Sequence, residues 1–137
     1  MIINAEDLIV GRLATYVAKR ALLGDKIDIV NCEKAVITGK KQEIFKNFKQ
    51  KIDRGTPFKG PFISRRPDMF VRRIIRGMLP HKKERGMKAY RNIMCYISVP
   101  EELKNEKAET IKPAHLNKLS TLKYMKVKDL TKLLGEK

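Results

Sequence analysis

Apolar residues recur with a helical period near the start of the chain. Leu13, Val17 and Ala21 stand four residues apart, a spacing that places them on one face of a helix. Gly24 follows this helix and suits a C-terminal cap with a left-handed backbone. Short apolar runs before and after the helix predict buried strands over residues 1–3, 26–32 and 35–37.

A second helix is predicted over residues 39–53, with Thr38 as its N-terminal cap. Its apolar side chains fall within about 100° of one another on a helical wheel and predict a core-facing stripe. The members of this stripe are Ile44, Phe45, Phe48 and Ile52. Residues 54–66 then interrupt the pattern with two glycines and two prolines, which predicts an extended irregular loop.

The helix after this loop is predicted over residues 68–79. Pro67 suits its first turn, and Pro80 biases the preceding residue away from helical angles, so the helix should end there. Residues 81–92 predict a further helix, which Gly86 weakens because glycine is a poor helix former.

The rest of the chain predicts a strand, an irregular segment and a closing helix. Ile93–Val99 is an unbroken apolar run, typical of a strand covered on both faces. Residues 101–121 are polar and predict irregular chain with short helical pieces, followed by a strand end near Tyr124 and a helix over 127–134. Strands that alternate with helices predict a single α/β domain over residues 1–137 with a mostly parallel sheet.

Positive charge is concentrated in the middle of this otherwise ordinary pattern. Residues 38–92 hold 17 Lys and Arg against 4 Asp and Glu, a net charge of +13 out of +16 for the whole chain. Residues 1–37 are balanced, with 5 basic against 5 acidic side chains. Such an uneven distribution indicates a surface that faces a polyanion, and nucleic acid is the commonest large one.

The predicted helix over 68–79 has an arginine face. On a helical wheel, Arg72, Arg73 and Arg76 lie opposite the apolar side chains, which include Phe70 and Ile75. A merely solvated face would usually mix Glu with Lys, but no acidic residue lies between Arg72 and Arg76. Since the guanidinium group offers a planar fork of donors that matches two phosphate oxygens, the pattern favours phosphate binding.

Further cations flank this helix on both sides. Gly77, Pro80 and Gly86 are expected to leave the backbone uncrowded there, so that a sugar-phosphate strand can approach. The chain shows no DNA-recognition motif, whereas folded RNA is bound through phosphate and 2′-hydroxyl contacts that this composition can supply. The predicted RNA-binding set is Arg54, Lys59, Arg65, Arg66, Arg72, Arg73, Arg76, His81, Lys82, Lys83, Arg85, Lys88, Arg91, Lys40 and Lys41.

At two places in this region the sequence allows two interpretations of the same residues. Phe58 and Phe62 lie among the cations of the 54–66 loop, and their rings either stack on unpaired bases or pin the loop to the protein body. Lys40 and Lys41 follow Gly39 at a predicted helix N-terminus, which is either an anion site or an ordinary solvated first turn.

Signals for enzymatic function are weak. The segment Thr38–Lys41 resembles a phosphate loop only superficially, because Lys34 stands where the first glycine is required and no Ser or Thr follows the lysines. No GxGxxG motif follows the first strand, and His81 and His115 lack ligands at metal spacing. The sequence therefore predicts no catalytic site, no metal, no other cofactor and no small-molecule substrate.

Membrane and secretory classes are also unsupported. No apolar run approaches the roughly 20 residues that span a bilayer, and no hydrophobic signal segment leads the chain. Cys32 and Cys95 both lie in apolar runs and are expected to be buried, reduced thiols of an intracellular protein, although a disulfide between them stays open.

Three stretches in order carry a family resemblance. They are GRLA with VAK at 11–19, VNCEKAV at 30–36 and RGMLPHKKERG at 76–86, and together they resemble the ribosomal protein L13 family of the large subunit. The insert RGTPFKGPF at 54–62, followed by RRPDMF at 65–70, is more similar to the archaeal branch than to the bacterial one. The resemblance extends from Met1 to Gly135 and is least clear over residues 101–121.

This resemblance implies more than the residue patterns do. It implies a three-layer α/β/α fold with a parallel four-stranded sheet, and a cytoplasmic, non-catalytic protein within the ribosome. It also implies binding to large-subunit ribosomal RNA, a role in early subunit assembly, and neighbouring ribosomal proteins such as the ribosomal protein L-three family. The RNA-binding residues carried over by the match are those of the Arg72–Arg91 segment. A free protein that regulates RNA outside the ribosome is the alternative from a different class.

Overall fold

The computed structural model describes residues 1–135, which contain five α-helices and five strands. The strands are β1 (Ile2–Asn4), β2 (Ile27–Val30), β3 (Val36–Thr38), β4 (Ile93–Cys95) and β5 (Tyr124–Lys126). The helices are α1 (Val10–Leu22), α2 (Lys41–Asp53), α3 (Pro67–Gly77), α4 (Glu84–Arg91) and α5 (Val127–Leu133). Short 3₁₀ turns lie at 32–34, 101–103, 112–114 and 116–118. The fold is therefore mixed α/β, as the alternation of strand and helix patterns predicts.

The central sheet has three parallel strands in the order β1–β2–β4. Ile3, Ile29 and Ile93, one from each strand, are fully buried and pack among the apolar residues of the helices. Beyond β1, the sheet continues only as a one-residue parallel bridge between Ile3 and Glu109. This differs from the four-stranded parallel sheet that the family resemblance implies, and the three-layer arrangement stays a prediction.

β3 is paired outside this sheet. It forms a separate antiparallel ladder with β5, in which Ile37 lies opposite Met125. Only residues 31–35 separate β3 from β2, whereas a crossover to a parallel neighbour needs roughly a dozen residues or more. The connection is too short for β3 to join the parallel sheet, so it pairs with the distant chain end instead.

The helices bury the faces that their periods predict. Leu13, Val17 and Ala21 of α1 are buried, which confirms the spacing-based expectation. In α2 only Ile44 is fully buried, while the other members of its predicted stripe are partly buried and pack against the core. The Phe48 ring lies 4.9 Å from the Phe70 ring, centroid to centroid, and this contact attaches α2 to α3.

Several element ends differ from prediction. Thr38 is not a helix cap, because it belongs to β3, and α2 begins at Lys41 after a residue with no side-chain capping hydrogen bond. Pro67 occupies the first turn of α3 as predicted, but α3 ends at Gly77.

Strand β4 is shorter and more open than predicted. β4 ends at Cys95, well before Val99, and Met94 is 41% exposed. Ile93 and Cys95 are buried on either side of Met94, so the run predicted to be covered on both faces has one open face.

Both cysteines are free and buried, as predicted. The Cys32 backbone N–H donates to the carbonyl of Tyr96 at 3.2 Å, which brings the chain after β2 beside the end of β4. A hydrogen bond with the thiol of Cys32, together with burial, raises the pKa of the Cys95 thiol well above its ordinary value. The two thiols are therefore neighbours in the core, and the Cys95 thiol stays protonated at neutral pH.

Candidate nucleic-acid interface

Helix α3 presents two arginines to solvent because its opposite face is fixed in the core. Phe70, Val71 and Ile75 are buried, while Arg73 and Arg76 are exposed. Asp68 lies in the first turn, where a carboxylate favourably faces the positive end of the helix dipole. The exposed side of α3 therefore carries guanidinium groups with no acidic residue among them.

Arg72 is oriented differently from the helical-wheel expectation. Its side chain is half-buried and its guanidinium lies over the Tyr90 ring, with the Arg72 Cζ 4.6 Å from the ring centroid. The Arg72 Nε atom is buried without a hydrogen-bond partner. A wheel shows the angle at which a side chain leaves its own helix, but not which neighbouring helix covers that side. Arg72 is therefore a packing contact between α3 and α4.

Three of the predicted RNA-binding cations are paired with carboxylates. Arg66 Nη2 lies 2.7 Å from Asp68 Oδ2, Lys88 Nζ lies 2.7 Å from a Glu84 oxygen, and Lys40 Nζ lies 3.3 Å from a Glu43 oxygen. The lysine pairs are exposed, so they are weak and can exchange for a phosphate. Within residues 1–135, no ion pair or hydrogen bond is formed by the exposed side chains of Arg54, Lys59, Arg76, Lys82, Lys83, Arg85, Arg91 and Lys41.

The turn between α3 and α4 is closely packed rather than open. Gly86 is buried in α4, and a Cβ atom at this position would collide with the carbonyl of Pro80. The expectation that Gly86 leaves the backbone uncrowded is therefore wrong: glycine is needed there so that α4 can fold back onto the turn. Gly77 fits the expectation, since a Cβ there would meet no atom within 4 Å. His81 is half-buried beside the Leu79 carbonyl, with Nδ1 at 3.3 Å from the oxygen.

The 54–66 loop is irregular as predicted, and two arginines attach it to the body. Arg73 Nη1 donates to the Phe62 carbonyl at 2.8 Å, and Arg65 Nη1 donates to the Gly135 carbonyl at 3.5 Å. The contacts of Arg73 with Phe62 and of Arg72 with Tyr90 hold the loop, α3 and α4 side by side. We call the exposed cations that the loop, α3, and α4 with the turn before it carry the basic surface: Arg54, Lys59, Arg65, Arg66, Arg73, Arg76, Lys82, Lys83, Arg85, Lys88 and Arg91.

Lys40 and Lys41 lie apart from these groups, at the N-terminus of α2. Lys123 lines the same open depression, and its carbonyl accepts a hydrogen bond from the Gly39 backbone N–H at 2.9 Å. Sequence reasoning missed Lys123, since only the pairing of β3 with β5 brings it near Lys40. No local signal in the sequence could have shown this proximity.

The carboxyl edge of the parallel sheet is occupied by the chain's own polar groups. Asn4 Oδ1 accepts a hydrogen bond from Asn31 Nδ2 at 2.9 Å, and Glu33 Oε2 accepts one from the Ser98 backbone N–H at 3.1 Å. In open α/β sheets this edge is where small ligands usually bind. Here the exposed charge lies elsewhere, on α3, α4 and the loop. Among the described residues, no helix is long and apolar enough to cross a bilayer.

The family model described as ribosomal protein L13 matches residues 1–102. The chain belongs to the ribosomal protein L13 family. Members of this family are structural ribosomal proteins and not enzymes. All fifteen predicted RNA-binding residues, which lie between Lys40 and Arg91, fall inside the matched range.

Archaeal relatives match nearly the whole chain, as the insert in the 54–66 region suggests. The chain is 46% identical over 136 residues to the large ribosomal subunit protein uL13 of Methanopyrus kandleri, covering 98% of this chain and 86% of the relative. It is 45% identical to the protein of the same name in Archaeoglobus fulgidus, with 98% and 86% covered. In Methanococcus maripaludis the identity is 45%, with 100% and 98% covered. These alignments extend the L13 family assignment through the irregular segment and α5.

Proposed function

We propose that this chain is a structural constituent of the large ribosomal subunit that binds large-subunit ribosomal RNA through the basic surface. The observation that carries the proposal is the pair of exposed guanidinium groups, Arg73 and Arg76, on a helix whose other face is fixed in the core. Because the other face of α3 is packed in the core, the backbone from which these groups project is already ordered, and only side-chain freedom is lost when phosphates bind.

The basic surface spans three consecutive segments of the chain: the loop, α3, and α4 with the turn before it. It can therefore neutralise phosphates of RNA strands that approach one another, which would otherwise repel. Such a protein would act early in assembly, by holding packed RNA helices in place. The resemblance to the L13 family also implies ribosomal protein neighbours, and we infer that the ribosomal protein L-three family is among them.

The test is a charge reversal with a matched control. The variant Arg73→Glu with Arg76→Glu changes the net charge by −4, but it also removes the hydrogen bond from Arg73 to the Phe62 carbonyl. Arg76→Glu alone leaves that contact in place and is therefore measured beside it. The control variant, Lys107→Glu with Lys118→Glu, makes the same change on exposed lysines of the 101–121 segment. That segment borders β1, whereas α3 packs beside β4 at the opposite edge of the sheet.

Filter binding to a large-subunit ribosomal RNA fragment gives the readout over a range of salt. Wild-type affinity should fall about 10³–10⁵-fold between 50 and 200 mM salt if six to ten phosphates are contacted. The arginine variant should bind much more weakly than the wild type. Its log affinity should fall less steeply with log salt concentration, by the contribution of about two phosphate contacts. The lysine control should stay close to wild type. Equal losses in the two variants would mean that net charge alone matters, and would contradict the proposed surface.

A further inference from the structure

The tip of the 54–66 loop is a closed turn. The Thr56 backbone N–H donates to the Gly60 carbonyl at 3.2 Å, and the Gly60 N–H donates back to the Thr56 carbonyl at 3.0 Å. The Lys59 N–H also donates to Thr56 Oγ1, at 3.3 Å. Gly55 and Gly60 adopt φ angles of +85° and +88°, and a Cβ atom on Gly55 would collide with the Gly60 carbonyl. The turn therefore holds its central residue, Phe58, in a defined position.

The Phe58 side chain does not pack against the protein core. Its side chain is 93% exposed, the most open aromatic residue among residues 1–135, and Phe62 is 72% exposed. One side of the Phe62 ring lies against the backbone of Gly60. A ring that pinned the loop to the body would be covered, and here the loop is attached through Arg73 and Arg65 instead. The interpretation of Phe58 as a loop anchor is therefore wrong.

The surroundings of Phe58 indicate its partner. Residues 54–66 contain no acidic side chain, and the exposed Arg54 and Lys59 lie on either side of the ring in sequence. An apolar ring beside cations complements a nucleobase, which has a flat apolar face and is joined to a phosphate. An apolar pocket on a protein partner would accept the ring, but it carries no phosphate to pair with these cations.

We propose that Phe58 stacks on an unpaired base of the RNA, with Phe62 as a second ring behind it. The proposal rests on the proposed function and names the kind of nucleotide that the loop recognises. The base must be unpaired because both faces of a base inside a duplex are already stacked. Aromatic stacking tolerates any base, so the loop would select an exposed nucleotide rather than a sequence.

A tryptophan at the tip gives a direct test. The chain contains no Trp, so Phe58→Trp creates a single fluorophore at the tip. Two probes are used, a single-stranded oligouridine and a fully paired RNA duplex of the same length. Stacking should quench the indole emission with the single strand and leave it nearly unchanged with the duplex. The matched control is Leu23→Trp, an exposed position after α1 outside the basic surface, which should be quenched by neither probe.

Affinity measurements separate stacking from simple hydrophobic contact. Phe58→Ala and Phe58→Leu should both weaken binding to the oligouridine, by about 5-fold to 100-fold, since neither side chain can stack. Binding to the duplex should stay within about twofold of wild type for both variants, because a paired base offers no free face to the ring. If the Phe58→Leu variant binds the oligouridine like the wild type, the ring makes only apolar contact and the stacking proposal fails.

The remaining outcomes distinguish this proposal from the function on which it rests. If the Arg73 and Arg76 variant loses RNA binding but the emission of the Phe58→Trp variant is not quenched, the basic surface stands and the stacking proposal is overturned. If that emission is quenched while the arginine variant binds normally, the loop binds RNA and the assignment of α3 is overturned. Chemical cross-linking of the assembled subunit gives the last outcome. If Phe58→Ala leaves RNA binding unchanged but removes a cross-link to a neighbouring ribosomal protein, the partner of Phe58 is a protein and stacking is overturned.

Discussion

The guanidinium of Arg72 lies over the ring of Tyr90, and this contact joins α3 to α4. The next arginines along α3, Arg73 and Arg76, are exposed. Three arginines within five residues therefore have different surroundings: Arg72 packs against another helix, Arg73 holds the loop through the Phe62 carbonyl, and Arg76 is free at the surface. These three side chains are chemically identical, and the positions of the neighbouring elements determine which of them stabilises the fold and which is available for binding.

Arg72 and Arg76 should respond differently to truncation. Arg72→Ala is expected to lower the free energy of unfolding by about 1–2 kcal/mol, because the cation–π contact and the packed side-chain stem are both lost. Arg76→Ala should change stability by less than about 0.5 kcal/mol, as is usual for an exposed site, yet weaken RNA binding. Urea unfolding and filter binding on both variants measure the two quantities. A reversal, with Arg76 stabilising and Arg72 neutral, would contradict the assigned roles.

Two glycines of the same region form a matched pair for stability. Gly86→Ala should destabilise the protein by about 1–3 kcal/mol, because the added methyl group collides with the Pro80 carbonyl and α4 must move away. Gly77→Ala places a methyl group in open space within α3, and should be neutral or stabilise by up to about 1 kcal/mol. Thermal unfolding measures both effects. Equal shifts for the two variants would show that the turn is not packed as described.

The buried thiol pair predicts a loss of stability at alkaline pH. The pKa of Cys95 is raised in the folded protein by the hydrogen bond with Cys32 and by burial. Between the ordinary thiol pKa of about 8.5 and the raised one, the folded state keeps a proton that the unfolded chain loses. The unfolded state then binds fewer protons, so the free energy of unfolding must decrease as pH rises through this interval.

The variant Cys95→Ala tests this contribution. Its stability should fall less steeply than that of the wild type above about pH 8.5, whatever its stability at neutral pH. The other titrating groups are common to both proteins, so the difference between the two slopes reports the thiol. Urea unfolding at a series of pH values gives these slopes. Parallel curves for the two proteins would show that burial of Cys95 does not perturb its titration.

Local patterns are sufficient for much of the molecule. The four-residue spacing of Leu13, Val17 and Ala21 determines α1, since a helix built from that stretch buries one face whatever packs against it. Pro67 determines the start of α3 in the same way. The motif around residues 76–86 carries the family resemblance, and the concentration of charge in residues 38–92 is a property of composition alone. These inferences depend on residues close together in the chain.

Tertiary structure decided the rest, because it depends on which distant segments meet. The pairing of β3 with β5, the stacking of Arg72 on Tyr90 and the collision that requires Gly86 each join residues whose proximity no periodicity expresses. The exposure of Phe58 is of the same kind, since a ring among cations is compatible with an anchor or a free tip until its surroundings are known. The sequence determined that a basic surface exists, and the contacts between elements determined which side chains are left free to form it.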